Sequence, residues 1–315
     1  MPHTKITHDA PSILAARLMV IAAAVLWSTS GFFAKAPAFA DWPGPLLAFW
    51  RAAFACLILV PLVRRPAWSW KLIPMAATFA AMNFTYLSAM AEGNAANAIW
   101  LQNTAPVWVL LVGVLAFGER SHVRDWLLIG FCGAGVGLIL YYESQGASLI
   151  AVSYGLASGL FYAGVVLTLR QMRAMEATWL VALNHVVTAL TLAPYAALSY
   201  QRGEHWPAGM QWLLLAGFGI LQMGTPYVLF ARGLKSIPGH EAAGIGLIEP
   251  LLVPLWVYVA WHHSPQYEAP QWWTYAGGGL IFIGLLVRYI GAAAQAPLHE
   301  EAALAAAAQE ESPSE

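Results

Sequence analysis

Apolar residues run along this chain in blocks of about 17–25, the length a helix needs to cross the hydrocarbon of a bilayer. The pattern predicts ten spans, at 14–35, 45–63, 72–91, 95–117, 124–142, 150–170, 178–199, 209–232, 241–262 and 271–291. Turn and interface residues collect between them, at Asp41-Trp42-Pro43-Gly44-Pro45, Arg64-Arg65-Pro66, Glu119-Arg120 and Glu204-His205-Trp206-Pro207. The shortest break is Glu92-Gly93-Asn94. The predicted fold is therefore an all-α integral membrane protein of ten helices.

Composition sharpens that picture. Of 315 residues, 59% are hydrophobic and only 10% charged, with a mean hydropathy of +0.60. Soluble domains carry roughly 25% charged residues, so this chain could not cover a water-facing surface. Its 15 Trp, 12 Tyr and 27 Gly fit a bilayer, where aromatics anchor at the interfaces and glycine is frequent in helices. A net charge of −1 gives no reason to expect a nucleic-acid partner. Cys56 and Cys132 both fall in apolar segments, with neither a disulfide framework nor zinc spacing. Thirteen fairly polar residues precede an apolar stretch too long for a signal peptide, so the first helix is expected to stay.

Lysine and arginine placement predicts orientation. With the N-terminus inside, 12 of the 15 basic residues fall in cytoplasmic segments, Lys35 and Arg202 outside, and Arg51 within the second span. That bias puts both termini in the cytoplasm. Residues 1–13 form a short cytoplasmic segment. The stretch 292–315, rich in Ala and Glu, cannot bury a face and reads as a disordered cytoplasmic tail.

The two halves of the chain resemble each other. Ala105-Pro106 in the fourth span matches Glu249-Pro250 in the ninth, and each half ends in a glycine-rich helix, Gly130 to Gly137 and Gly277 to Gly284. Pro61 pairs with Pro194, and Met82 and Tyr86 pair with Met223 and Tyr227. Trp27-Ser28 to Lys35 and Tyr162-Ala163 to Arg170 keep the same spacing. Five helices per repeat is an odd number, so the second repeat enters the membrane upside-down. Inverted repeats of this kind are shared by many secondary transporters, which bind substrate near the midplane where the repeats meet.

These residues carry a resemblance. Leu26-Trp27-Ser28, the mid-helix prolines Pro106 and Pro250, and Ala116-Phe117-Gly118-Glu119 before a glycine-rich helix resemble the drug/metabolite transporter superfamily, with two EamA-type domains at 14–142 and 148–291. Trp261-His262-His263 departs from the pattern in the second half. In length, span number and aromatic content the chain is similar to bacterial amino-acid exporters, including exporters of aromatic amino acids. The resemblance implies a bacterial inner membrane location and a central cavity lined by helices 1, 3, 4, 6, 8 and 9. It also implies that helices 5 and 10 sit at a peripheral or dimer-like packing position.

Ionisable groups inside a span cost about 2.5–3.5 kcal/mol on insertion scales and need a reason. Glu249 lies roughly 13 Å along the ninth span, near mid-bilayer, beside a proline that removes a backbone donor. It is expected to contact a substrate ammonium or to couple protons. Arg51 lies a turn and a half into its span, where snorkelling to the outer interface explains it. His185 is expected to be an interhelical hydrogen-bond partner. Asn97, Trp100 and Asn103 or Thr104 share a helix face and are expected to reach the cavity, as are Asn83 and Tyr86 at i, i+3. Trp27, Tyr162 and Tyr227 stand at repeat-related positions and would complete an aromatic cage able to hold an ammonium by cation–π contact. Pro106 and Pro250 are the expected hinges. Trp42, Trp68, Trp70, Trp206, Trp212, Trp272 and Trp273 read as interface anchors. Gly130, Gly133 and Gly137 read as a face for close helix approach.

Neither a dinucleotide fingerprint nor a P-loop is present, and no catalytic or metal cluster accompanies Glu249, so no cofactor and no enzyme activity are expected. The expectation is a secondary transporter exporting small metabolites by alternating access, foremost neutral or aromatic amino acids. Its partners would be that small molecule, the lipid bilayer and protons as coupling ion, whether the chain is a monomer or a dimer. Transport of another metabolite, such as a nucleobase, a vitamin or a drug-like cation, is the alternative. A non-transporting scaffold or an intramembrane enzyme fits less well.

Overall fold

A computed structural model describes residues 11–118, 121–145, 149–172, 174–237 and 239–288. Among the described residues all regular structure is helical. Nine helices there are long and apolar enough to cross a membrane. They are α1 (Ile13–Ala34), α2 (Gly44–Leu62), α3 (Leu72–Glu92), α4 (Ala95–Ala116), α5 (Val123–Glu143), α6 (Leu149–Gln171), α7 (Ala177–Gln201), α8 (Met210–Gly233) and α9 (Glu241–Trp261). A further helical run, α10, covers 272–288. The expected tail at 292–315, most of the segment 1–13 and the Glu119-Arg120 break lie outside the described residues.

Hydrogen bonds between loops define the two ends of the bundle. At the end where α1 begins, the Glu176 carboxylate before α7 accepts from the Arg64 and Arg65 amides after α2. There too, Ser236 donates to the Pro11 carbonyl at 2.7 Å. At the opposite, far end, Gln211 donates to Ala38 O at 2.8 Å, and Asn94 donates to Glu268 O at 3.0 Å.

Helix pairing follows a regular scheme. α3 lies along α6, and α1 along α8; α2 packs on α7, and α4 on α9. The α5–α10 seam is tightest at Gly135 and Gly277, where a methyl group on Gly135 would stand 2.4 Å from the Gly277 carbonyl. That contact corrects the expectation for Gly130, Gly133 and Gly137. A methyl group on any of those three would meet open space, because they lie on other faces of the helix.

Four of the helices are interrupted, and three of the interruptions follow from proline. Pro106, Pro226 and Pro250 lack the N–H that the carbonyl four residues earlier would receive. Accordingly α4 breaks at Asn103-Thr104 and α9 at Leu247-Ile248. Helix α8 widens into a π turn at Ile220–Gly224. α1 breaks at Thr29, whose hydroxyl bonds the Leu26 carbonyl at 2.6 Å. Gln222 in the π turn donates to the Trp27 carbonyl at 3.0 Å, so one irregularity satisfies the other. Inside a membrane, freed backbone groups need such partners.

The far end and the N-terminal end are packed differently. One continuous apolar core at the far end draws Phe33, Leu46, Leu87, Ile99, Leu192, Phe218 and Val253 from seven helices. Trp261 donates to the Phe32 carbonyl there at 2.8 Å, tying α9 to α1. Trp42, expected as an interface anchor, is only 6% exposed and belongs to this core, stacked edge-on against Phe39. Toward the N-terminal end the core divides. Ala16, Val20, Ile237 and Ala242 form one cluster, Leu72, Met75, Met172 and Leu180 another, and Leu59, Phe79, Met82, Val165, Ala182 and Met223 a third, against which Trp27 and Tyr227 pack. Both halves of α4 pack chiefly on α6; the outer half (Ala95–Gln102) packs also on α9, and the inner half (Ala105–Phe117) on α5.

Candidate functional site

The helix interruptions surround a polar cluster in the middle of the bundle. Arg51 of α2 is 1% exposed and lies among α2, α3, α8 and α9, which corrects the expectation that it snorkels. Snorkelling requires a path to the interface, and the far-end core closes that path. The guanidinium donates through Nη2 to Asn83 Oδ1 and lies over the rings of Phe218 and Tyr86, 5.1 and 5.9 Å from their centroids. Its Nε has no partner among the described residues. Asn83 itself is held by its Nδ2 bond to the Phe79 carbonyl at 3.0 Å, and Tyr86 by a 3.0 Å bond with Ser30 at the α1 break.

Glu249 opens the outer half of α9, directly after that helix's break. It is half-buried and lies within electrostatic reach of Arg51, Tyr86 and Tyr227. Neither an ion pair nor a hydrogen bond joins it to Arg51. Buried opposite charges normally close on each other, because desolvation is offset only by direct contact. Here their charged atoms stay more than 4.0 Å apart, leaving a gap between them.

Aromatic rings wall this gap. Trp27 meets Tyr227 edge-on at 5.2 Å and Phe230 at 5.2 Å. His185 of α7 is fully buried, edge-on to Phe79 at 5.0 Å and to Tyr227 at 6.0 Å. Both of its ring nitrogens lack hydrogen-bond partners among the described residues, which corrects the expectation of an interhelical bond. Gln222 Oε1 and Asn184 Oδ1 are likewise unmet. So many unmet buried polar atoms in one region mark a place for water or ligand.

The structure brings together Trp27, Asn83, Tyr86, Tyr227 and Glu249. It does not bring in Trp100, which turns toward α10; a methyl group on Gly278 would sit 2.3 Å from its Nε1. Asn97, on the same face, donates to Glu143 Oε1 at 2.7 Å, and Trp273 donates to that oxygen at 3.0 Å. Asn103 bonds its own helix at the Ile99 carbonyl, 2.9 Å away. Tyr162 is 40% exposed. Pro106 and Pro250 each stand second in the segment that resumes after a break. Sequence reasoning set Arg51 and His185 aside because both looked peripheral. The available signal was depth: counted from the span ends, Arg51 lies within one turn of Asn83, and His185 within one turn of Tyr227.

A multi-pass helical membrane protein with interrupted helices around a charged, aromatic-walled centre has the form of a small-molecule transporter. The chain belongs to the EamA-like transporter family, within the drug/metabolite transporter superfamily, matching at residues 14–141 and again at 149–290. It is 26% identical to the pseudopaline exporter CntI of Pseudomonas aeruginosa over 85% of this chain and 94% of that one. It is 27% identical to the uncharacterized transporter YwfM of Bacillus subtilis over 86% and 92% of the two chains. An uncharacterized transporter of Archaeoglobus fulgidus is 27% identical over 65% of this chain and 71% of its own. A solved crystal structure, 20% identical, superposes with a TM-score of 0.60 over 88% of this chain and 97% of that one, a likeness of fold alone.

Proposed function

We propose that this protein is a secondary transporter that exports small metabolites, foremost neutral or aromatic amino acids, across a bacterial inner membrane by alternating access. The observation that carries the reading is the charged centre, Arg51 and Glu249 held apart among Trp27, Tyr86 and Tyr227. A cation–anion pair with aromatic walls suits a molecule with an ammonium, a carboxylate and an apolar side chain.

Helix pairing supports the inverted-repeat mechanism, with repeats at 14–142 and 148–291 and ten spans. Exchanging α1 with α6, α2 with α7, α3 with α8 and α4 with α9 turns the α1–α8 contact into α6–α3 and returns α2–α7 and α4–α9 to themselves. Such an exchange is expected of two halves related by a two-fold axis, and an odd number of spans per repeat would put that axis in the membrane plane. The positive-inside bias favours placing the divided end and both termini on the cytoplasmic side. Rocking about the breaks at Pro106 and Pro250 would carry the site from one face to the other. The export direction agrees with what the Pseudomonas relative's name says of that protein. Glu249 is the candidate proton-coupling group.

Purified protein in liposomes, given labelled amino acids with and without an imposed pH gradient, tests this reading. Saturable flux of Trp, Phe or another neutral amino acid is the expected result. Flux of organic cations or nucleobases with none for amino acids would overturn the substrate class.

A further inference from the structure

We propose that Arg51 is the residue that reads the carboxylate of the transported molecule, opposite Glu249 as the reader of its ammonium, so that the site selects net-neutral zwitterions. The inference rests on the transport reading above and names the chemical class that its central site takes.

Arg51 is built as a receptor before any ligand arrives. The side chain is buried, yet Asn83 accounts for the only hydrogen bond its guanidinium makes among the described residues. A buried donor left unmet is costly, and an arginine kept inside a membrane bundle without a carboxylate partner needs a reason. Its orientation is fixed on three sides, by the Phe218 ring, by the Tyr86 ring and by Asn83. Tyr86 is fixed in turn by Ser30. A planar fork held this way loses little freedom when it takes a carboxylate.

Charge balance supplies the selectivity. Arg51 and Glu249 sum to zero, and no ion pair among the described residues consumes either charge. A zwitterion placed between them leaves the site neutral with each charge compensated. A monocarboxylate would leave Glu249 facing bound negative charge without an ammonium, and a simple amine would leave Arg51 unmet. Uncompensated charge is what a low-dielectric site penalises most. His185, Tyr86 and Tyr227 are the other titratable groups facing the gap, from α7, α3 and α8.

The geometry also sets the ligand's direction. Arg51 lies about 10 Å in from the far end of α2, counting 1.5 Å per residue, directly beneath the closed far-end core. Glu249 and Tyr227 lie toward the divided end. The carboxylate therefore enters first and the ammonium trails.

Counterflow of labelled phenylalanine in proteoliposomes, competed by phenylalaninamide, phenethylamine and 3-phenylpropionate, tests this. In the wild type, unlabelled phenylalanine is expected to compete at least tenfold better than each of the three. Arg51→Gln is expected to bring the ratio of phenylalanine to phenethylamine potency close to one, and Arg51→Lys to recover part of it. Equal competition by phenethylamine in the wild type, or an unchanged ratio in a folded Arg51→Gln protein, would overturn the assignment while leaving amino-acid transport standing. No counterflow of phenylalanine or any other neutral amino acid would overturn both. Should Arg51→Gln fail to fold, the wild-type analogue series decides alone.

Discussion

Two of the opposite-charge pairs between the helices, Asp125 with Arg288 and Glu249 with Arg51, are arranged in opposite ways. At the N-terminal end of the α5–α10 seam, Asp125 and Arg288 are in direct contact, and Asp125 also accepts the His122 amide at 2.7 Å as the first turn of α5 begins. Its Oδ1 meets the Arg288 charge and its Oδ2 the His122 amide. At the centre, no ion pair among the described residues joins Arg51 and Glu249, and the Arg51 Nε has no partner there. The same chemistry thus appears once as a closed clamp and once as an open one. A closed pair fixes two helices; an open pair between two repeats has its bonds still to give.

The sharpest way to break this comparison is to neutralise one acid from each pair. Glu249→Gln is expected to lower transport tenfold or more, with detergent-solubilised protein still folded and monodisperse. Asp125→Asn is expected to do the reverse, lowering stability by about 1–3 kcal/mol through the lost charged hydrogen bonds while flux per folded molecule stays unchanged. Transport assays set beside thermal melts separate the two. Equal loss of flux from both variants would mean that the open pair is as structural as the closed one.

Much of this was legible in the chain. Span lengths and the helix interruptions at Pro106 and Pro250 follow from local rules: hydrophobic length and a missing N–H. What was not legible depends on rotation about each helix axis. Arg51 looks like a snorkelling residue because it stands near a span end, and only packing against Phe218 and Tyr86 turns it inward. Trp100 looks like a cavity ring because of its polar neighbours, yet Gly278 opens a slot for it on α10. Gly135, not the more regularly spaced glycines beside it, makes the seam. Periodicity says which residues share a face, but several helices here are apolar all round, and nothing local says which face meets the centre.

A smaller effect is expected where the two ends of the bundle are compared. Gly31 sits where α1 crosses α9 at the closed far end, and a methyl group there would lie 2.7 Å from Val257 and 2.9 Å from Val253. Gly31→Leu cannot be accommodated without parting these helices, so it should favour the conformation open at the far end. A cysteine at Ser30, labelled from that side with a membrane-impermeant reagent, should react several-fold faster in the Gly31→Leu background. Unchanged labelling would mean that the far-end core does not act as the closure.

The smallest expected effect concerns Lys35, just beyond α1 at the same far end. It lines a small pocket with Asn94, Trp261, Tyr267 and Glu268. Burial holds its amine below the ordinary value of 10.5, and the nearby Glu268 and Glu92 carboxylates only partly reverse this. A lysine whose pKa is lowered in the closed state charges more easily once that end opens and water reaches it. Protonation therefore opposes closure at pH values below the lowered pKa, and the opposition fades as pH rises from there toward 10.5. Closure at the far end should accordingly strengthen slightly on the alkaline side, by less than about 1 kcal/mol for a partly exposed group beside acids. Impermeant labelling of the same Ser30→Cys site across alkaline pH, corrected for the growing thiolate fraction, would show a shallow decrease in rate. Lys35→Met should flatten that slope without touching amino-acid selectivity; a slope that survives the substitution would move the pH response to another group.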